Sequence, residues 1–181
     1  MSTPQGITTR AGDRGTTRLY SGEEVSKDSP RMRACGEVDE LVSVLGLARA
    51  HVSCEADRET LLHLQRMLFR IGSEAATMAA KLSLLPERLD EAAVTELDRR
   101  CAAAEQRIKM PDGFVVPGGN AGAAFLDHAR AVARRCERRL VSLHTAGQLR
   151  NEHILAWINR LSDYLWLMAR IEEGTSTPVR E

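Results

Sequence analysis

Five arginines fall within ten residues in Arg130-Ala-Val-Ala-Arg134-Arg135-Cys-Glu137-Arg138-Arg139. Guanidinium groups pair bidentately with carboxylates and phosphates, so this density points to anion chemistry. Leu126, Ala129, Ala133, Cys136, Leu140 and Leu143 recur at three- and four-residue steps, which makes the segment a helix with one apolar face. On that helix Arg130 and Glu137 border the apolar face, Arg134 and Arg138 lie just beyond it, and Arg135 and Arg139 point the opposite way. Border arginines are half-buried by their own helix and need an anionic partner. For Arg130, Asp39 and Glu40 are available on an earlier helix. Arg135 and Arg139 fit an ordinary solvated or paired row. Arg134 and Arg138 lack a local neutraliser once Glu137 is shared, and they are the candidates for a polyphosphate.

Three further stretches have residue types suited to binding. Thr9-Arg-Ala-Gly-Asp-Arg-Gly-Thr-Thr17 sets two glycines among hydroxyls and arginines, a composition that lets backbone N–H groups curl around a phosphate. It lacks the Gly-Lys-Ser/Thr of a nucleotide-binding P-loop, and Lys27 adds a flexible charge within reach. Asn159 and Asp163 stand one turn apart at the edge of an apolar stripe, a placement that favours a helix–helix hydrogen bond over a ligand contact. Phe114 lies in the breaker-rich loop Met110-Pro-Asp-Gly-Phe-Val-Val-Pro-Gly-Gly-Asn120, either as a core plug or as a cover for a flat ligand.

The elements that must position these residues are helices. Apolar periodicity predicts five, over about 35–52, 57–80, 89–109, 121–145 and 151–172. Residues 1–33 read as an ordered loop or short extended segment and 174–181 as a polar tail. One all-α domain spanning 1–181 is expected, because strand patterns are scarce and no βα rhythm appears. The chain has 181 residues and zero formal net charge, which argues against nucleic acid as a partner. Its basic residues are 22 Arg against three Lys. Cys35, Cys54, Cys101 and Cys136 are widely separated and form no metal-binding spacing, so they read as structural thiols on helical apolar positions. The start lacks an apolar signal core and no run reaches membrane-spanning length, so a cytoplasmic protein without a membrane partner is expected.

Taken jointly, these stretches resemble the trimeric, helical-bundle type of ATP:cob(I)alamin adenosyltransferase. The resemblance is carried by Thr9 to Thr17, Lys27-Asp28, Gly36-Glu-Val-Asp-Glu40, Phe114-Val-Val-Pro-Gly-Gly119, Ala129 to Arg138 and Asn159-Arg-Leu-Ser-Asp-Tyr164, in order and spacing. It implies a five-helix bundle with an ordered N-terminal phosphate-binding loop. It further implies a homotrimer with active sites between subunits, and transfer of the 5′-deoxyadenosyl group of ATP to the cobalt of a reduced corrinoid with release of triphosphate. By resemblance, Thr9, Arg10, Ala11, Gly12, Thr17, Arg18 and Lys27 contact ATP, as do Arg134, Arg135, Glu137, Arg138 and Asn159. Arg134, Arg138 and Asn159 carry the catalytic roles. Asp39 and Arg130 match a salt bridge between subunits, and Phe114 matches an aromatic at the lower face of the corrin ring.

The implied chemistry needs no activated Ser, Cys or His, because cob(I)alamin is itself a strong nucleophile. The protein must align C5′ with the cobalt and stabilise the departing triphosphate. Mg²⁺ held through the ATP phosphates, with no protein metal site, belongs to this reading. So do a reductase partner and an adenosylcobalamin-dependent acceptor enzyme. A non-catalytic bundle that binds ATP or corrinoid for delivery is the alternative. Several residues depart from the family's usual pattern: Asp127 stands where a His is common, Arg10 and Arg14 replace lysines, Ala11 replaces a polar residue and Cys35 a Tyr. Asp127 is expected to weaken the positive field of the arginine helix.

Overall fold

The computed structural model describes residues 6–8 and 10–180. Helix α1 spans Pro30–His51, opened by the Ser29 hydroxyl, which accepts from Met32 N, with proline in the first turn. Helix α2 follows at Glu55–Ala75 and α3 at Glu91–Glu105, the latter capped by Asp90 accepting from Ala93 N. Helix α4, Ala121–Thr145, carries the arginine row and is capped by Asn120; α5 spans Glu152–Glu173 behind an Asn151 cap. Helix α4 packs against both α1 and α5, while α2 lies on α1 and α3 on α5. The apolar stripes expected on these helices meet in one core: Leu41, Leu45, Leu64, Leu68, Leu126, Leu140, Ile154, Trp157 and Leu165 are all buried.

Four boundaries differ from the sequence expectation. Helix α1 begins five residues earlier than expected, at its Ser-Pro cap. Helix α2 stops at Ala75 rather than near residue 80, because another helix closes its end. The buried Arg31 donates to Ala75 O at 2.5 Å and Thr77 O at 3.1 Å, and also to Gln148 O at 2.8 Å in the α4–α5 turn. Beyond it a short 3-10 helix, Ala79–Leu84, leads towards α3. Helix α3 is shorter at both ends: Leu89 is buried ahead of the Asp90 cap, and a tighter turn (Arg107 N to Ala104 O) ends it before Pro111. Cys54 is not an apolar helical position but the exposed residue before α2.

Two small sheets complete the structure. Strands β1 (Thr16–Arg18) and β2 (Glu24–Ser26) form an antiparallel hairpin that gives the N-terminal segment its order. It is moored to the end of α2 by Tyr20 N to Ala76 O, Met78 N to Ser21 Oγ and a 2.7 Å Lys81–Glu23 ion pair. The expected polar tail is not free: β4 (Thr177–Pro178) pairs with β3 (Val115–Val116) beside Phe114.

Candidate functional site

Helix α4 separates its arginines into the expected pairs, but Arg135, which the wheel points away from the bundle, is half-buried against α1, while Arg134 and Arg138 are the exposed pair. Arg135 Nε donates to Glu37 at 2.6 Å and its terminal nitrogen to Glu40, both on α1. These hydrogen bonds, Glu40 first and then Glu37, hold its guanidinium pKa above the usual range. Arg139 lies 3.9 Å from Glu37. Glu37 sits at a half-buried position facing α4, a partner that sequence reasoning passed over in favour of Asp39 and Glu40. Arg134 and Arg138 are exposed on another face and form no ion pair among the described residues; Arg138 donates only to Arg134 O, at 3.0 Å. Asn159 Nδ2 donates to Glu137 Oε1 at 3.2 Å, bridging α5 to α4 beside these two arginines. This bridge positions both polar groups of the expected ATP stretch.

The Arg130 surroundings correct one expectation. Asp127 does not dilute the field of the arginine row, because it is buried and turned to α5, where Arg170 donates to it at 2.6 Å. Arg170 also lies 2.7 Å from Glu173 and over the Trp166 ring, 5.4 Å from its centroid. Arg130 Nε is buried, 3.7 Å from Asp127, and without a hydrogen-bond partner among the described residues. Asp39 is exposed on α1 and is not its partner within one chain. Arg130, Asp127, Arg170 and Trp166 line a hollow of about 500 Å³ together with Phe114, whose side chain is 91% exposed. Phe114 is therefore no core plug.

The N-terminal turn has the close approach that two glycines allow. A Cβ on Gly12 would fall 2.6 Å from Lys27 Nζ, so the ammonium rests directly on the glycine backbone. Arg10 adopts φ 57° and Gly15 φ 81°, both in the left-handed region, which curls the chain before β1. Thr17 and Arg18 lie in β1, and Ala11 is exposed in the turn. Thr9 lies outside the described residues. Among the described residues, no hydrogen bond or ion pair joins Arg10, Thr17, Arg18 or Lys27 to Arg134 or Arg138. Among the described residues, no group of three or more His, Cys, Asp or Glu side chains is gathered to hold a metal ion, and no helix is long and apolar enough to cross a membrane.

Fold and site together define a class, a helical bundle with two unpaired arginines exposed on one helix and an exposed aromatic in a loop. The chain belongs to the cobalamin adenosyltransferase family, whose sequence pattern matches residues 7–172. It is 40% identical over 169 residues to a corrinoid adenosyltransferase of Citrobacter freundii, covering 93% of this chain and 96% of that protein. It is 37% identical to the corrinoid adenosyltransferase PduO of Salmonella typhimurium, across 93% of this chain and 50% of that longer protein. A solved structure of a variant PduO-type ATP:corrinoid adenosyltransferase from Lactobacillus reuteri, complexed with cobalamin and ATP, superposes with a TM-score of 0.90. That match has 30% identity and covers 97% of this chain and 100% of the other.

Proposed function

We propose that the chain transfers the 5′-deoxyadenosyl group of ATP to the cobalt of cob(I)alamin or a related reduced corrinoid, giving the adenosylated corrinoid and triphosphate. The observation that carries this reading is the division of charge along α4. Arg135 is neutralised by Glu37 and Glu40, while Arg134 and Arg138 keep uncompensated guanidinium groups on one exposed face. A pair of free, same-face guanidiniums suits a leaving group whose charge grows as the C5′–O bond breaks. Cob(I)alamin's cobalt supplies the electron pair for the new Co–C5′ bond, and triphosphate leaves with the C–O pair.

In this reading Arg134 and Arg138 stabilise triphosphate. Glu137 and Asn159, fixed by their mutual hydrogen bond, orient the nucleoside end. Thr9 and the turn at Arg10, Ala11 and Gly12, with Thr17, Arg18 and Lys27, contact the phosphates. Arg135 belongs to the same stretch but acts by bracing α4 on α1 rather than by touching ATP. Mg²⁺ is carried on the ATP phosphates.

The active unit is a homotrimer, in which the turn of one subunit completes the arginine face of the next. An exposed Asp39, and an Arg130 whose side chain is 32% exposed and approaches Asp127 only at 3.7 Å in its own chain, support this. Phe114 covers the lower face of the corrin ring and excludes an axial ligand, which eases reduction of Co(II). The protein works in the cytoplasm beside a reductase and an adenosylcobalamin-dependent acceptor enzyme. The test is spectral: chemically generated cob(I)alamin, ATP and Mg²⁺ should give the light-sensitive adenosylcobalamin spectrum. No product under strong reduction would refute the activity.

A further inference from the structure

Phe114 presents its side chain to solvent, yet its backbone is held from behind by the chain's last residues. Val179 N donates to Phe114 O at 2.9 Å, and β4 pairs Pro178 with Val115 and Thr177 with Val116. The segment leaves α5 through Gly174, at φ 73°, and is tied down at once. Ser176 Oγ donates to Glu173 Oε1 at 2.5 Å, and Thr175 N to Glu173 O at 2.9 Å. The Glu173 side chain is 1% exposed and lies 2.7 Å from Arg170, which in turn grips Asp127 on α4. The loop's other end reaches the same place, because a Cβ on Gly119 would fall 2.9 Å from Glu173 Cβ. Residues 173–180 follow the 7–172 stretch that the family pattern matches.

We propose that residues 174–180 are a strap that positions Phe114 for the corrinoid, with Glu173 as the positioning residue that buckles the strap to the bundle. The inference rests on the adenosyltransferase reading for its functional half. One antiparallel pairing fixes the backbone at the aromatic and just after it, and the buried Asp127–Arg170–Glu173 cluster fixes that pairing relative to α4 and α5. Among the described residues, no hydrogen bond or ion pair joins the strap to the nucleotide-binding residues named above, and the effect is therefore expected on the corrinoid half of the reaction.

Val179→Pro removes the N–H that bonds Phe114 O, and a chain ending at Glu173 removes the whole strap. Hydrogen exchange, read without ATP or corrinoid, should quicken at Val115–Val116 by about fivefold or more, the worth of one hydrogen bond, while α4 and α5 are unchanged. In turnover from cob(II)alamin with a reductant, KM for the corrinoid should rise by about fivefold on the same estimate, with KM for ATP steady. Glu173→Gln should move both readouts in the same direction by a smaller factor. Unchanged exchange at Val115–Val116 in both the proline and truncated chains would overturn the strap. So would faster exchange with an unaltered corrinoid KM. A wild-type chain that forms no adenosylcobalamin would refute the catalytic reading instead, and exchange alone would then decide whether the strap holds Phe114.

Discussion

Arg170 serves two buried carboxylates at once, and that asymmetry gives a quantitative expectation. Its side chain is 3% exposed, Asp127 is 6% exposed at 2.6 Å, and Glu173 is 1% exposed at 2.7 Å. Arg170→Met keeps most of the apolar stem but strands both carboxylates in the bundle. Breaking a buried ion pair from one side costs about 3–5 kcal/mol, because the remaining charge is left without compensation. Asp127→Asn keeps the shape at position 127 and leaves Arg170 still engaged by Glu173, so its cost should be about 1.5–3 kcal/mol, the net worth of one hydrogen bond to a charged group. Across a chain of this size the two changes translate to a Tm loss of about 6–20 °C for Arg170→Met and about 3–12 °C for Asp127→Asn. Urea titration of both variants at constant protein concentration checks the order without relying on a reversible melt. Equal costs, or a larger cost for Asp127→Asn, would refute the assignment of Arg170 as the shared cation.

Other expectations separate the remaining groups. Arg134→Ala should lower kcat by about 10²–10³-fold, as for loss of one preorganised transition-state contact, while leaving the circular dichroism spectrum intact. Arg139→Ala, which removes only an exposed pairing at 3.9 Å, should leave kcat within about twofold and stability within about 1 kcal/mol in the same assays. Glu23 is held down to about 2 by its hydrogen bonds to Lys81 and Ser21. Its folded value lies below the ordinary 4.5, so its stabilisation is present above pH 4.5 and is lost as pH falls towards 2. The protection factor of the Tyr20 amide should fall over that window, and Glu23→Gln should remove the dependence. Cys136 is pushed up to about 12 by burial, so native protein at pH 8 should take up iodoacetamide at exposed Cys54 and not at Cys136, as read by peptide mass.

Much of the architecture was legible because the apolar stripes repeat at helical spacing over long segments. The arginine helix is the clearest case, its bounds at 121–145 agreeing with the expected range. What was not legible came from contacts far apart in sequence. Nothing local to α2 says that Arg31, 44 residues before Ala75, will take its terminal carbonyl. The tail carries too few apolar residues to read as a strand, yet it pairs with two valines some sixty residues earlier because their loop returns beside the end of α5. At the candidate site, the division of Arg134 and Arg138 from Arg135 and Arg139 was readable from a wheel, but the turn of Arg135 onto α1 was not. Glu37 was missed because its register against α4 depends on how two helices pack. Asp127 was misjudged for the same reason: its partner Arg170 sits on a third helix, and a charge counted along one helix says nothing about its neutralisation across another.

The Arg31 guanidinium has a consequence for how the bundle opens. One side chain on α1 holds carbonyls at the end of α2, in the stretch behind it and in the α4–α5 turn. Helix ends ordinarily fray one by one, at little cost. Here the three share one buried cation, so releasing all of them would leave it without a partner, and their opening is coupled through Arg31. The N-terminal hairpin is moored to Ala76, beside this same junction. Opening the junction would therefore displace the cationic turn along with the helix ends.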